Sequence, residues 1–197
     1  MTIYYEISFH SYWHCGSGQG AGASLDSLVT KDTNGMPYVP GKTLKGLIRE
    51  AVVELTGWKN SAEGDFEPSV ELLKVFGYFS DNKNEMYKAD SFFSNATLPH
   101  GEYWQIIKDK NQRYLYQTIA STAIEDEGVA RQGSLRTAEV CVPCTLYAMI
   151  TNVPESFAET ITLALSYIKN LGQGRTRGLG RCTIKAIPAE QGKGLSL

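Results

Sequence analysis

Hydrophobic and polar positions alternate over residues 2–13, with Ile3, Tyr5, Ile7 and Phe9 on one side and Glu6, Ser8 and His10 on the other. Successive strand side chains point to opposite faces, so this alternation predicts an opening, half-buried strand. Across residues 15–40 no period is sustained; the stretch holds Gly16, Gly18, Gly20, Gly22 and Gly35 and ends in PYVPG. It predicts a long loop, and long loops inside compact domains tend to be functional. From Thr43 the spacing changes to Leu44, Leu47, Ile48, Ala51, Val52 and Leu55, bracketed by Pro40-Gly41 and Gly57. That is the rhythm of an amphipathic helix.

Residues 58–67 read as a polar connection, and Pro68-Ser69 as the start of a short helix through Val70, Leu73, Val75 and Phe76. Strand-like residues follow at 88–98. Residues 99–138 are mixed and poorly periodic apart from an apolar patch at 114–119, which predicts a projecting, partly ordered insertion. Val140, Val142, Cys144, Leu146, Ala148 and Ile150 alternate as one long strand. Asn152-Val153-Pro154 leads into a helix striped by Phe157, Ile161, Ala164, Leu165 and Ile168, which Leu171-Gly172 closes. After GQGRTRGLGR at 172–181, a last strand turns Cys182, Ile184 and Ala186 inward, and residues 189–197 read as a flexible, frayed tail.

The order strand, helix, strands, insertion, strand, helix, strand predicts an α+β fold of the ferredoxin-like type, two helices on one face of an antiparallel sheet. Residues 1–188 form one domain, since no repeat, low-complexity block or linker divides them. The 197 residues carry 19 Lys+Arg against 21 Asp+Glu, a formal charge of −2, which excludes an indiscriminate polycation. No apolar run is long enough to span a membrane and the first residues lack a signal-peptide layout, so the expected location is the cytoplasm. Glycine is the outlying count, 19 residues against an average of roughly 7%.

GKT at 41–43 invites a phosphate-loop reading, but Met36 stands where the first glycine is needed and Tyr38-Val39-Pro40 are poor choices for a loop that must wrap phosphates. What survives is a helix N-terminus with Lys42, Lys45 and Arg49 on one stripe, which is either an anion site or a solvated cationic face. Cys141 and Cys144 form a CxxC inside a strand pattern, where such spacing points to opposite faces; thiols of the core or the strand edge are the expected reading. His10, His14 and His100 are isolated in sequence, and nothing singles one out as a general base. Residues 172–181 are more specific: Arg175, Arg177 and Arg181 alternate with Gly172, Gly174, Gly178 and Gly180 without an acid, which suits close backbone approach and bidentate phosphate binding.

LDSLVTKDTNGMPYVPGKTLKGLIRE (25–50) resembles the signature of the repeat-associated mysterious protein (RAMP) superfamily of CRISPR effectors: an aspartate, a KD pair, Tyr-x-Pro-Gly and a Leu-Lys-Gly helix start, in that order. LGQGRTRGLGR (171–181) resembles that superfamily's C-terminal glycine-rich loop. VARQGSLRTAEVCVP (129–143) resembles the thumb and following strand of the Csm/Cmr-type backbone subunit of type III effector complexes. The chain departs from the family in having Leu28 where a proline commonly follows the aspartate, and in being short.

The resemblance implies a modified RNA-recognition-motif fold that polymerises along a guide RNA beside further copies of itself and other effector subunits. A thumb at about 119–138 would push between guide and target RNA. It implies RNA binding by Lys42, Thr43, Lys45, Arg49, Arg131, Arg136, Gly174, Arg175 and Arg177, and cleavage of the target at regular intervals by the loop aspartate, matched by Asp26. Mg2+ or a similar divalent cation would support that cleavage. Two alternatives stay within the superfamily: a non-catalytic RNA-binding scaffold, and a precursor-guide processing endoribonuclease for which His14 would be the residue to test. A ferredoxin-like adaptor unrelated to CRISPR is the third.

Overall fold

The computed structural model describes residues 1–18, 25–56, 69–80 and 85–195. Gly20 and Gly22, the Gly57 helix stop, the 58–67 connection and Pro68 lie outside the described residues. The elements run β1 (Ile3–Phe9), α1 (Gly41–Thr56), α2 (Val70–Phe76), β2 (Tyr78–Ser80), β3 (Glu85–Tyr87), β4 (Phe92–Phe93), α3 (His100–Lys108), β5 (Tyr116–Ser121), β6 (Arg136–Cys141), β7 (Thr145–Thr151), α4 (Ala158–Tyr167), β8 (Cys182–Ile187) and α5 (Ala189–Gly194).

The main sheet has the order β4-β7-β1-β8, with every pairing antiparallel. With α1 between β1 and β4, and α4 between β7 and β8, this is the split βαβ arrangement of the ferredoxin-like class. One face of the sheet presents Ile3, Tyr5, Ile7, Leu146, Ala148, Ile150 and Ile184, all buried, to Leu44, Ile48 and Val52 of α1 and Ile161, Ala164 and Leu165 of α4. Each such side chain contributes roughly 1.5–3 kcal/mol by leaving water, so this layer supplies most of the driving force for folding.

Five sequence expectations are corrected. The single strand expected from Val140 to Ile150 is two: β6 pairs with β5 outside the main sheet, β7 pairs with β1 within it, and Pro143, which lacks an amide to donate, stands in the gap between them. The strand expected at 88–98 is reduced to Phe92–Phe93, with single bridges at Ala96 to Val39 and Thr97 to Tyr147. Within the supposed insertion, residues 100–108 are helical. The α4 helix ends at Tyr167 rather than at Leu171, because Lys169 and Leu171 leave it to bond the backbone of Cys182 and Gly180. The expected frayed tail forms α5, where Gly192 packs so closely on the Tyr4 ring that a Cβ there would enter it.

What remains of the insertion is the β5–β6 ribbon. Residues 120–133 are exposed throughout, while Thr137, Ala138 and the residues after them bury progressively toward the body of the protein. Ser134 clips the ribbon's outer end: its hydroxyl lies 2.7 Å from Thr122 Oγ1, accepts the Ala123 amide at 3.0 Å and donates to the Arg131 carbonyl at 2.7 Å.

Trp13 fastens this ribbon to the body. Its backbone exchanges both hydrogen bonds with Cys141, at 3.1 and 2.8 Å, its indole donates to the Val142 carbonyl at 3.1 Å, and its fully buried ring stacks on Phe9 with centroids 4.5 Å apart. Trp13→Ala empties the volume at the ribbon's root and should cost about 3–5 kcal/mol, read from urea unfolding. A cost under about 1 kcal/mol would show that the ribbon is held elsewhere.

Candidate nucleic-acid interface

The chain continues past β1 as a central spine, residues 10–17, flanked by β6 on one side and the glycine-rich loop on the other. The loop is bound backbone to backbone: His10 donates to Arg181 at 2.8 Å, Gly180 to Tyr12 at 2.7 Å and Gln173 to His14 at 2.8 Å. Two glycines make this approach possible. Gly172 (φ +95°) lies against the His14 carbonyl and Gly180 (φ +70°) against that of Leu171; a Cβ at either would overlap the oxygen, and L residues rarely take such φ values. A short 3₁₀ turn, Arg175–Arg177, then projects outward between left-handed Gly174 and Gly178.

This stitching brings the loop opposite the start of α1 across an open cavity of about 1000 Å³. His14, Gly16, Lys42, Thr43, Gly46, Gln173 and Arg175 line it, together with Glu50 as the acid. Of the expected residues, Lys42, Thr43 and Arg175 therefore share one site. Lys45 and Arg49 fall just outside it, on the adjoining helix face. Lys45 is partly buried with its ammonium 5.9 Å from the Phe93 ring centroid; burial first, and the Arg49 charge second, hold it below the usual lysine pKa. Arg136 and Arg177 meet in a smaller cavity of about 260 Å³ at the ribbon, and Arg131 is exposed near the ribbon's end. Among the described residues none of these cations pairs with a carboxylate, since the ion pair present is Lys31–Glu139. A chain of net charge −2 thus carries a localised track of unpaired cations.

The helix start itself is less open than its sequence suggests. The Gly41 amide is taken by Asn95 Oδ1 at 2.9 Å and the Thr43 amide by the Pro40 carbonyl at 2.9 Å, which leaves the Lys42 amide. Gly41 is needed because the helix end presses on the Phe93 carbonyl. The cavity's positive character rests on side chains more than on helix amides.

Asp26 lies outside both cavities, at the root of the ribbon. Its amide donates to the Thr137 carbonyl at 2.9 Å, and its Oδ2 accepts the Thr137 amide at 2.6 Å. Oδ1 takes no hydrogen bond among the described residues, and the residue is exposed. Asp32 is different in kind: Oδ1 caps the amides of Asn34 and Met36 at 2.8 and 2.9 Å, and Oδ2 accepts the Tyr103 hydroxyl at 2.6 Å. Asp32 is spent on holding its turn. The partners of Asp26 are hydrogen-bond donors, and among the described residues no three His, Cys, Asp or Glu side chains gather as a metal cage. The described residues do not supply a donor set that fits a divalent ion.

Cys141 is buried in β6 and Cys144 stands beyond the Pro143 gap, and both are free thiols. Burial foremost pushes the Cys144 thiol up to about 11, and Cys141 higher still, so neither offers a thiolate at neutral pH. His14 is only 2% exposed and bonds the Glu139 carbonyl through Nδ1 at 2.6 Å.

The residue that sequence reasoning missed is Glu139. Its carboxylate accepts Lys31 Nζ at 2.8 Å and the Val29 amide at 3.2 Å, its amide donates to the Ser27 carbonyl at 3.1 Å, and its carbonyl receives His14. Lys31 also lies 3.9 Å from the Tyr116 ring centroid. The available signal was an acid in line with the inward Cys141 of a strand, a position where a charge needs a partner.

Fold and site together define an α+β domain of the RNA-recognition-motif type with a basic glycine-rich loop beside its first helix. The family model of the RAMP superfamily matches residues 6–183, and the chain belongs to that superfamily. Its fold is similar to a chain of the cryo-EM structure of the type III-B Cmr-beta bound to cognate target RNA, at 13% identity and TM-score 0.69, covering 94% of this chain and 97% of that one. A chain of the type III-B Cmr-beta in the apo state is similar at 14% identity and TM-score 0.70, covering 96% and 98%. No curated protein matches the chain by sequence. No helix among the described residues is long and apolar enough to cross a membrane.

Glu139→Ala strands Lys31 and the Val29 amide and should destabilise the protein by about 1–3 kcal/mol in urea unfolding. Combined with Lys31→Met it should cost less than the sum of the two single changes; strict additivity would show that the pair is not coupled.

Proposed function

We propose that this protein is a guide-RNA-binding backbone subunit of a type III-like CRISPR effector complex, working beside further copies of itself and other subunits, and that it cuts bound target RNA through Asp26. The observation that carries RNA binding is the cavity between α1 and the glycine-rich loop, which Lys42 and Arg175 both line with no carboxylate paired to either among the described residues. Phosphates of a single strand would follow the cations from Lys42, Lys45 and Arg49 past Arg175 to Arg177 and Arg136. The exposed β5–β6 ribbon, with Arg131 near its end, would separate guide from target.

For cleavage, the free Oδ1 of Asp26 takes the proton of a target ribose 2′-hydroxyl while the 2′-oxygen attacks the adjacent phosphorus. The bond to the 5′-oxygen breaks and that oxygen is protonated from water, leaving a cyclic phosphate and a 5′-hydroxyl. Since the described residues around Asp26 supply no donor set that fits a cation, no step is assigned to one. One observation favours the scaffold reading instead: Asp26 Oδ2 already serves the Thr137 amide, a structural role sufficient to account for an acid there.

Asp26→Ala separates these readings. In the assembled complex it should lower target cleavage by roughly 100-fold or more with guide content unchanged; a complex that never cleaves, or cleaves equally well with the variant, establishes the scaffold. Gly46 tests the RNA path. It lies within α1, lines the cavity, and a Cβ there would meet nothing within 4 Å. Gly46→Ala should therefore stabilise the free protein by up to about 1 kcal/mol. It should also weaken single-stranded RNA binding roughly fivefold or more, because the methyl group occupies the floor on which the strand lies. Stabilisation with unaltered affinity would place the strand elsewhere.

A further inference from the structure

His14 holds a buried polar atom that has no partner among the described residues. Its ring is buried, and Nδ1 lies 2.6 Å from the Glu139 carbonyl. A carbonyl only accepts, so Nδ1 carries the proton, and in the neutral ring Nε2 is left as an acceptor. Nε2 is itself buried and makes no hydrogen bond among the described residues. It faces the Gly16 wall of the large cavity: a Cβ built on Gly16 would lie 3.1 Å from Nε2 and 2.8 Å from Gln173 Nε2. Gln173 is exposed, and its side chain can swing aside without disturbing the fold.

An acceptor at the wall of a cationic cavity is out of place if phosphate is the only ligand, because phosphate oxygens also accept. Along a sugar–phosphate chain the donor is the ribose 2′-hydroxyl, the group that separates RNA from DNA. Building on the RNA-binding reading above, we propose that the cavity seats one ribose of the strand and that His14 Nε2 accepts its 2′-hydroxyl, with Lys42 and Arg175 taking the flanking phosphates. With the Gln173 side chain swung aside, Gly16 leaves room for the sugar, and the Glu139 carbonyl fixes the tautomer that makes Nε2 an acceptor. His14 is then a specificity-determining residue for ribose, and DNA in the same seat leaves Nε2 unpaired.

The test is a cycle of two proteins and two ligands: wild type and His14→Phe, each titrated with a single-stranded RNA and with the same sequence carrying 2′-fluoro sugars, which keep the RNA pucker but cannot donate. Wild type should bind the RNA roughly tenfold more tightly than its 2′-fluoro counterpart. His14→Phe should bind both equally, near the wild-type affinity for the 2′-fluoro strand. Equal binding of both strands by wild type, or an equal loss on both in the variant, overturns the assignment while leaving RNA binding standing; failure of wild type to bind RNA at all overturns both. Where the variant does not fold, ¹⁵N spectra of the wild-type ring decide. Nε2 should stay unprotonated and move with RNA but not with the 2′-fluoro strand, whereas an Nε2 that gains a proton on binding refutes the acceptor role.

Discussion

Glu139 is the interaction on which the functional side of this protein depends. It sits at the inner end of the ribbon, and its four polar groups reach three separate stretches of chain: His14 on the spine, Ser27 and Val29 on the aspartate loop, and Lys31 beyond it. Besides it, β6 is tied to the body by the Trp13–Cys141 backbone pair and by the Asp26–Thr137 bonds. A buried carboxylate is costly unless each oxygen finds a donor, and here one finds an ammonium and the other an amide. The cost is offset by a defined geometry: ribbon, loop and spine are set relative to one another by hydrogen bonds that apolar contacts, lacking direction, could not specify.

That geometry explains why the cations gather where they do. The main sheet orders β1 beside β8, so the glycine-rich loop entering β8 runs back along the continuation of β1. The same continuation passes the start of α1, which the ferredoxin-like connection places at the same end of the sheet. Two segments far apart in sequence therefore meet across one cavity as a consequence of topology, with glycines at 172 and 180 permitting the contact.

The parts legible in sequence were those with a strong period and a large apolar face: β1, α1, α4, β7 and β8, hence the fold class. The glycine-rich loop was legible as a cationic segment because no acid interrupts it. What escaped was decided by tertiary contacts. Residues 100–108 look polar because α3 has no fully buried residue, so its stripe is weak. The alternation across 140–150 is real, but it cannot reveal that the strand changes partners at Pro143. Lys45 and Arg49 share a stripe with Lys42, yet the cavity opens on the neighbouring face of α1 through Gly46 and Glu50, and only the packing of α1 on the sheet sets that rotation.

The three carboxylates of this region differ in how many of their oxygens the fold occupies. Asp32 uses both oxygens on its own turn and on Tyr103, and Glu139 uses both on Lys31 and Val29. Asp26, at the root of the exposed ribbon, uses one oxygen, on the amide of Thr137, whose carbonyl accepts the Asp26 amide, and among the described residues the other takes no hydrogen bond. A single tether of this kind fixes a carboxylate's position while preserving an acceptor, which is what positioning a base beside a bound strand requires. The tether to Thr137 that a purely structural reading emphasises is therefore equally a device for holding Oδ1 in place. Among the described residues the Oδ1 of Asp26 is open where the oxygens of Asp32 and Glu139 are closed.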